Sequence, residues 1–345
     1  MTKKHKVGER PTIAQIAEAA GVSVPTVSKV LNGREDVSLP TRARVERIIE
    51  ESGFVRQRAA RALNKSRIGM IDLIVPRLDD DYFVPIIEGV AQVFYASGIR
   101  VLLTSTQYET DQELRWVDTL TERSTDGLLL VMPSEAALQR LARYSVPFVV
   151  IHNQVGQLAT IPSVTTHSWD GGFAATQHLI ALGHRRIAYI GKNRNAMDAV
   201  ERVAGYREAL HRANLPLDPQ LECAGQFSTS DGYAATKVLM ALTSPPTAIF
   251  AGNDHQAMGV YRALYELGIM IPDDVSVVGF DNLSYTDLMS PPLTTVHVPR
   301  LELGRIAAIM LLRLINQEPL DSKLVLLPTH LLERESCAPP RDVLP

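Results

Sequence analysis

The sequence predicts two structural classes in one chain. An N-terminal all-α head built on a helix-turn-helix precedes an α/β body of two Rossmann-like lobes. Three observations carry this. Apolar residues recur at helical spacing through the N-terminal segment, broken once by a glycine turn. From Arg67 onward, short β-rich runs alternate with helical stretches. Charge divides at the same place: of 35 Lys+Arg and 38 Asp+Glu, residues 1–67 hold 14 and 7, so this segment carries +7 and the remainder −10. A small basic module on a larger acidic carrier suits a polyanionic partner, although a merely solvated basic surface would carry the same charge. With 345 residues and 46% hydrophobic content, the chain can build two or three packed domains.

In the head, Thr12 is placed to cap a helix over 12–19 whose apolar set Ile13, Ile16, Ala17 and Ala20 faces inward. Gly21 supplies the positive φ of a tight turn. Ser23 then caps a second helix over 23–31, which Asn32-Gly33 ends. Two short helices across a glycine turn make a helix-turn-helix, with Ala17 small where they cross and Val22, Val27 and Val30 closing the core. A third helix over 41–52 starts near Pro40-Thr41 and buries Val45, Ile48 and Ile49. Pro25 falls in the first turn of the second helix, where its missing N–H breaks no hydrogen bond. At about 100° per residue, Pro25 and Lys29 lie opposite Val27, Val30 and Leu31. In a helix-turn-helix that outward side enters the major groove.

The next segment, "QRAARALNKS" over 57–66, mixes Arg58, Arg61 and Lys65 with Ala59, Ala60, Ala62 and Leu63. Its helix propensity is high, but it is too short to hold a helix alone in water. It reads as a linker that folds against a partner.

In the body, "IGMIDLIVP", "RVLLTST", "DGLLLVMP" and "PFVVIH" are separated by helical stretches such as 83–97 and 111–122. "RIAYIG", "TAIFAGN", "SVVGFDN" and "LTTVHV" form a second set. Such alternation predicts parallel sheets flanked by helices, and two sets predict two lobes with a ligand between them at the carboxyl ends of strands. Asp281 in "GFDN" and Asn253-Asp254 in "GND" end strands and can accept hydrogen bonds from hydroxyls; helix capping competes for Asp254. Asn153, after "PFVVIH", is a further candidate. Trp169 reads equally as a pocket or a packing residue.

Catalytic signatures are missing: GxxxxGK[ST], HExxH, GxSxG and paired cysteines do not occur. No catalytic residue, metal site or cofactor is therefore expected. The run Asp79-Asp80-Asp81 reads as a loop entering a helix before it reads as a cation site. Cys223 and Cys337 are the only cysteines, which fits a reducing compartment. "MTKKHKVGERPT" lacks the apolar stretch of a secretory signal, and no run is long enough for a membrane span. A cytoplasmic location is expected.

Several of these stretches resemble the LacI/GalR family of bacterial repressors. "TIAQIAEAAGVSVPTVSKVLNG" is similar to its DNA-reading signature, and the likeness continues through "VSLPTRARVERIIEESGF" into "RAARALNKSRIG". "YFVPIIEGV", "GHRRIAYIG", "ERVAGYREAL", "GNDHQAMGVYRAL", "VSVVGFDN" and "PPLTTVHVP" resemble its periplasmic sugar-binding-protein-like body. The resemblance implies a DNA-binding domain over 1–56, a hinge helix over 57–66 and an effector-binding, dimerising body over 67–336. The N-lobe would take 67–166 plus 299–326 and the C-lobe 167–298 plus 327–336, with crossings near 167, 298 and 327. It places Val24, Pro25 and Lys29 at bases and Ser23, Thr26 and Ser28 near phosphates. Thr12, Asn32, Arg58 and Ala60 complete the DNA-contacting set, and Leu63 wedges a minor-groove base step. Lys29 stands where many members carry arginine, which implies a different base preference. Arg56 in "FVRQR" replaces a family proline, which leaves the start of the hinge open. Arg202 takes the effector-clamping position, and Tyr82, Phe83 and Phe227 take aromatic positions around the effector, unless plain core packing explains them.

The function expected on these grounds is a homodimeric transcriptional repressor of a catabolic operon. It would act at the bacterial nucleoid on a pseudo-palindromic double-stranded operator, under control of a sugar or sugar derivative. A solute-binding protein sharing the body, or an enzyme on doubly wound domains, is the alternative. "APPRDVLP" leaves no heptad for a tetramerising bundle, so a dimer is expected.

Overall fold

The computed structural model describes residues 12–31, 34, 36–52, 68–119, 125–152, 161–192 and 197–341. Asn32, the linker with Arg58, Ala60 and Leu63, and Asn153 lie outside the described residues. The chain divides between Ile68 and Gly69 into two compact units.

The first unit holds three helices: α1 (Ile13–Ala20), α2 (Val24–Leu31) and α3 (Leu39–Ser52). Thr12 and Gln15 cap α1 reciprocally: the Gln15 N–H donates to Thr12 Oγ1 at 3.4 Å and the Thr12 N–H to Gln15 Oε1 at 2.7 Å. Gly21 closes the helix in the left-handed region at φ 63°, and the Val22 N–H returns to the Ala17 carbonyl at 3.0 Å. Ile16, Ala17, Ala20, Val27, Val30, Val37 and Val45 form the core, with Val22, Ile48 and Ile49 half-buried against it. The third helix begins at Leu39 rather than 41. Proline is tolerated within a first turn, so Pro40 sits inside the helix rather than ahead of it.

The second unit contains two six-stranded sheets. Strands β1 (Met70–Val75), β2 (Arg100–Ser105), β3 (Leu128–Val131), β4 (Phe148–Ile151), β5 (Ser163–Thr166) and β11 (Leu324–Leu327) form the first, in the order β11-β5-β4-β3-β1-β2, all parallel. The second has the order β12-β10-β9-β8-β6-β7. It is built from β6 (Ile187–Lys192), β7 (Glu222–Gly225), β8 (Ala248–Ala251), β9 (Ser276–Asp281), β10 (Thr294–His297) and β12 (His330–Leu332). Only β12 runs antiparallel. The helices between strands are α4 (Val84–Ala96), α5 (Thr110–Asp118), α6 (Glu135–Leu141), α7 (Ser168–Ala181), α8 (Met197–Arg212), α9 (Thr229–Met240), α10 (Asp254–Glu266) and α11 (Arg300–Ile315). Strands such as β1, β3 and β9 are buried almost throughout, as parallel strands covered on both faces must be.

Strands β5, β7, β11 and β12 have no counterpart among the runs singled out above. They span three or four residues, and three of them lie at sheet edges. A stretch such as Glu-Cys-Ala-Gly becomes a strand because β6 offers a free edge, and its own propensity is poor. The chain passes from the first sheet to the second after β5, returns after β10 and crosses again between β11 and β12. These passages lie side by side. Thr329 Oγ1 donates to the His167 carbonyl at 3.1 Å, and the His297 and His330 rings meet across the β10–β12 pair with centroids 4.9 Å apart.

Candidate functional site

On α2 the core takes Val27 and Val30, while Val24, Pro25 and Lys29 are exposed and Thr26 and Ser28 are half-buried beside them. Ser23 holds the helix start: its carbonyl accepts from the N–H groups of Thr26 (2.9 Å) and Val27 (3.2 Å), and its Oγ from the Thr26 N–H at 3.3 Å. Pro25 lies where no donor is needed, and nothing in the first turn is lost to it. Lys29 donates to Asp36 Oδ2 at 2.6 Å, and this bond holds the Asp36 carboxyl below its ordinary range. Thr12 is exposed at the start of α1.

In the α/β unit, the carboxyl ends of strands from both sheets enclose a cleft of about 610 Å³. The first sheet contributes Arg77, Asp79, Asp80, Tyr82 and Phe83 after β1, Tyr108 after β2 and Met132 after β3. The second contributes Arg202 from α8, Gln226, Phe227, Ser228 and Thr229 after β7, Asn253 and His255 around the start of α10, and Asp281 at the end of β9. Backbone strain gathers here too. Of nine non-glycine residues with positive φ among the described residues, seven follow or end strands at this face: Gln107, Tyr108, Met132, His152, Phe227, Asp281 and Asn282. Each such residue costs on the order of 1–3 kcal/mol and persists only where the surroundings fix it.

Arg202 is the centre of the cleft floor. It is 4% exposed, its guanidinium lies 3.6 Å from the Phe280 ring centroid and 5.3 Å from that of Phe227, and Nη1 donates to the Gly252 carbonyl. Nη2 stands 3.9 Å from Asp281 Oδ1, which has no hydrogen-bond partner among the described residues. Burial drives the Asp281 carboxyl above its ordinary range, and the cations Arg202 and Arg300 oppose this. The backbone of Arg202 is pinned by Gly172 on α7: a Cβ there would strike the Arg202 carbonyl, as one on Gly205 would strike that of Trp169. This close approach of α7 and α8 sets the depth of the guanidinium.

The remaining candidates divide. Tyr82 is half-buried, with its hydroxyl 2.7 Å from His152 Nε2 and its ring edge-on to Phe83, itself 1% exposed and packed into the core beneath. Asn253, not Asp254, caps α10: its Oδ1 accepts from the Gln256 N–H at 2.9 Å and its Nδ2 donates to the Phe227 carbonyl at 3.1 Å, fixing the Phe227 loop. Asp254 is fully buried and does not line the cleft. It accepts from Thr295 Oγ1 at 2.7 Å and from the Leu283 N–H at 2.8 Å, a staple between α10 and the ends of β9 and β10. Trp169 stacks on Phe173 with centroids 5.2 Å apart and is a packing residue. Residues 79–81 bend over the cleft: the Asp80 carboxylate accepts from the Tyr82 N–H, and Asp81 Oδ1 lies 3.2 Å from His255 Nε2 of the other sheet's side. Arg77, Tyr108, Gln226, Thr229 and His255 escaped the reading of the sequence. For all but His255 the available signal was position just beyond a strand, and β7 was itself unrecognised.

Comparison with known proteins agrees with both units. Residues 12–57 match the model of bacterial regulatory proteins of the lacI family, and residues 176–337 match a periplasmic binding protein-like domain. The chain is similar to the ribose operon repressor of Escherichia coli (strain K12), at 33% identity over 94% of this chain and 99% of the relative. Among solved structures it resembles a transcriptional regulator CelR–cellobiose complex, with a TM-score of 0.74 and 32% identity over 95% of this chain and all of the other. It also resembles the lac repressor dimer bound to operator and an anti-inducer, with a TM-score of 0.83 and 28% identity over 96% of this chain and all of the other. No helix among the described residues is long and apolar enough to cross a membrane. A head-to-tail likeness of this extent, joined to the family's own DNA-reading segment, makes the chain a member of the lacI family of bacterial regulatory proteins.

Proposed function

We propose that this chain is a homodimeric transcriptional repressor of a catabolic operon, released from or fixed to its operator by a sugar bound in the cleft. Residues 1–56 read one half of a pseudo-palindromic operator. Val24, Pro25 and Lys29 face bases, while Thr12, Ser23, Thr26, Ser28 and Asn32 hold the backbone. Residues 57–66 form the hinge in the minor groove, with Arg58, Ala60 and Leu63 at the DNA. The body over 67–336 binds the effector through Tyr82, Asn153, Arg202, Phe227 and Asp281, with Phe83 and Asn253 supporting them. It works in the bacterial cytoplasm without catalysis, cofactor or membrane.

The observation that carries this reading is the buried Arg202–Asp281 pair at the floor of the cleft. Asp281 stands at φ 110° and presents a carboxyl oxygen with no hydrogen-bond partner among the described residues. A hydroxyl-rich ligand satisfies that oxygen. Relatives solved with cellobiose and with ribose support a sugar. Pro25 and Val24 offer no donor, so they read shape, most simply a thymine methyl, and polar readout falls to Lys29 after it leaves Asp36.

The test is selection of duplex DNA from a random pool, followed by fluorescence anisotropy with and without sugars. Affinity for the selected site should fall steeply with salt. A sugar should change it by roughly 5–150-fold, a coupling of about 1–3 kcal/mol. Failure to enrich a sequence, or identical affinity under every sugar, would sink the proposal.

A further inference from the structure

Lys29 has a competitor for its charge inside the head. Its ammonium donates to Asp36 Oδ2 at 2.6 Å, in the turn between α2 and α3. Both side chains are about half exposed. An exposed pair of this kind adds little to folding. Its consequence lies at the surface that meets DNA.

The two partners differ in freedom. Asp36 sits in a turn tied down on both sides. The Arg34 N–H donates to the Lys29 carbonyl at 3.0 Å, the Arg42 side chain donates to the Arg34 carbonyl, and Val37 is buried in the head core. The bond from Lys29 holds the Asp36 carboxyl below its ordinary range, and the charge of Arg34 acts in the same direction. This acid is therefore fixed in place and ionised at neutral pH. Lys29 instead carries a compact charge on a flexible four-carbon stem. It can swing between partners, where a forked arginine would lock onto the carboxylate with two bonds.

That difference makes the acid a filter. A free lysine on the outward side of α2 is drawn to the phosphates of any duplex and adds the same affinity to every sequence. Held by Asp36 it is neutralised, and an approaching phosphate meets the carboxylate as well. The pair opens only for a partner that replaces what is lost. A guanine edge does so, because its O6 and N7 accept together in the major groove. Discrimination then comes from penalising the wrong partner as much as from rewarding the right one.

We infer that Asp36 is a specificity-determining residue of DNA recognition, which withholds Lys29 from phosphates on non-cognate DNA and yields it to a guanine edge in the operator. This rests on Lys29 facing bases. The experiment measures binding of the full chain to its selected site and to a scrambled duplex by fluorescence anisotropy, between about 50 and 200 mM salt. Asp36→Asn keeps the size and suits a turn. On the scrambled duplex it should steepen the log–log salt dependence by about 0.9, the mark of one added phosphate contact, so that its gain over the parent grows about threefold from the higher salt to the lower. Affinity for the selected site should change less, and the ratio of the two affinities should fall. Glu50→Gln removes an exposed carboxylate from α3 and should leave the ratio unchanged. Once Lys29 is replaced by alanine, Asp36→Asn should no longer alter the ratio. Equal tightening on both duplexes, an unchanged slope, or the same effect with and without Lys29 overturns the inference. A Lys29→Ala chain that selects the same half-site just as tightly counts instead against the placing of Lys29 at the bases.

Discussion

The head and the body solve opposite problems. In the head the outward side of α2 stays at the surface in regular helical backbone, and stability comes from a small apolar core and reciprocal caps. In the body the cleft is floored by a buried charged pair, Arg202 and Asp281, and rimmed by left-handed residues at the ends of strands. A surface that meets DNA can leave desolvation to the moment of contact. A cleft that grips a small ligand must prepare its charges beforehand, with the scaffold holding strain in place.

Four experiments would break or sharpen this contrast, beginning with the largest effect. Arg202→Leu strands Asp281 without its cation in the interior, which should cost about 3–5 kcal/mol. Urea unfolding of the body would show it, together with loss of the sugar response; an unchanged midpoint would mean the pair is not buried as described. Ile16→Ala opens the head core and should cost about 2–5 kcal/mol, abolishing DNA binding while sugar binding to the body persists. A parallel loss of sugar binding would contradict the independence of the two units. Thr12→Ala removes one half of the α1 capping box and should cost about 1 kcal/mol, seen as a modest drop in head stability by chemical denaturation.

The pH experiment addresses the body alone. Burial lowers the basicity of His178, His184 and His297. In the folded state they bind protons less readily than in the unfolded chain. Their contribution is therefore complete above the unfolded value of about 6.5 and is lost as pH falls through the lowered folded values. The histidines contribute a fall in the body's melting temperature between pH 7 and pH 5, opposed by Asp254 and Asp281, whose carboxyls burial holds above their ordinary range. His184→Gln should flatten that fall, since His184 contacts Thr247, Ser276 and the Ala338 carbonyl. A His184→Gln variant that loses more melting temperature on acidification than the parent protein would contradict the sign.

The same contrast explains what could be read in advance. The head was legible because its determinants are local: Thr12 to Gln15, Gly21 and Ser23 act over three or four residues. Lys29 exposed its limit, since its partner Asp36 lies across a turn. In the body, the long buried strands announced themselves, but β7 and β12 depend on a neighbour's free edge. At "GND" the sequence marks a strand giving way to a helix, yet which of two adjacent polar residues caps and which staples depends on Leu283 and Thr295, about 30 and 40 residues away in the chain. Tyr108, Gln226 and Thr229 were invisible for the same reason: their place in the cleft wall comes from which strands lie at the free edges of two separate sheets.

The three adjacent crossings limit how such a body can move. Laced by Thr329 to His167 and by the facing rings of His297 and His330, they act like knuckles on a single pin. Rotation about that line bends every connection a little. Twist or sliding would stretch at least one of them and compress another. The lobes therefore keep one soft coordinate, the angle between them. Damage along the hinge edge should leave the ligand bound and the message lost.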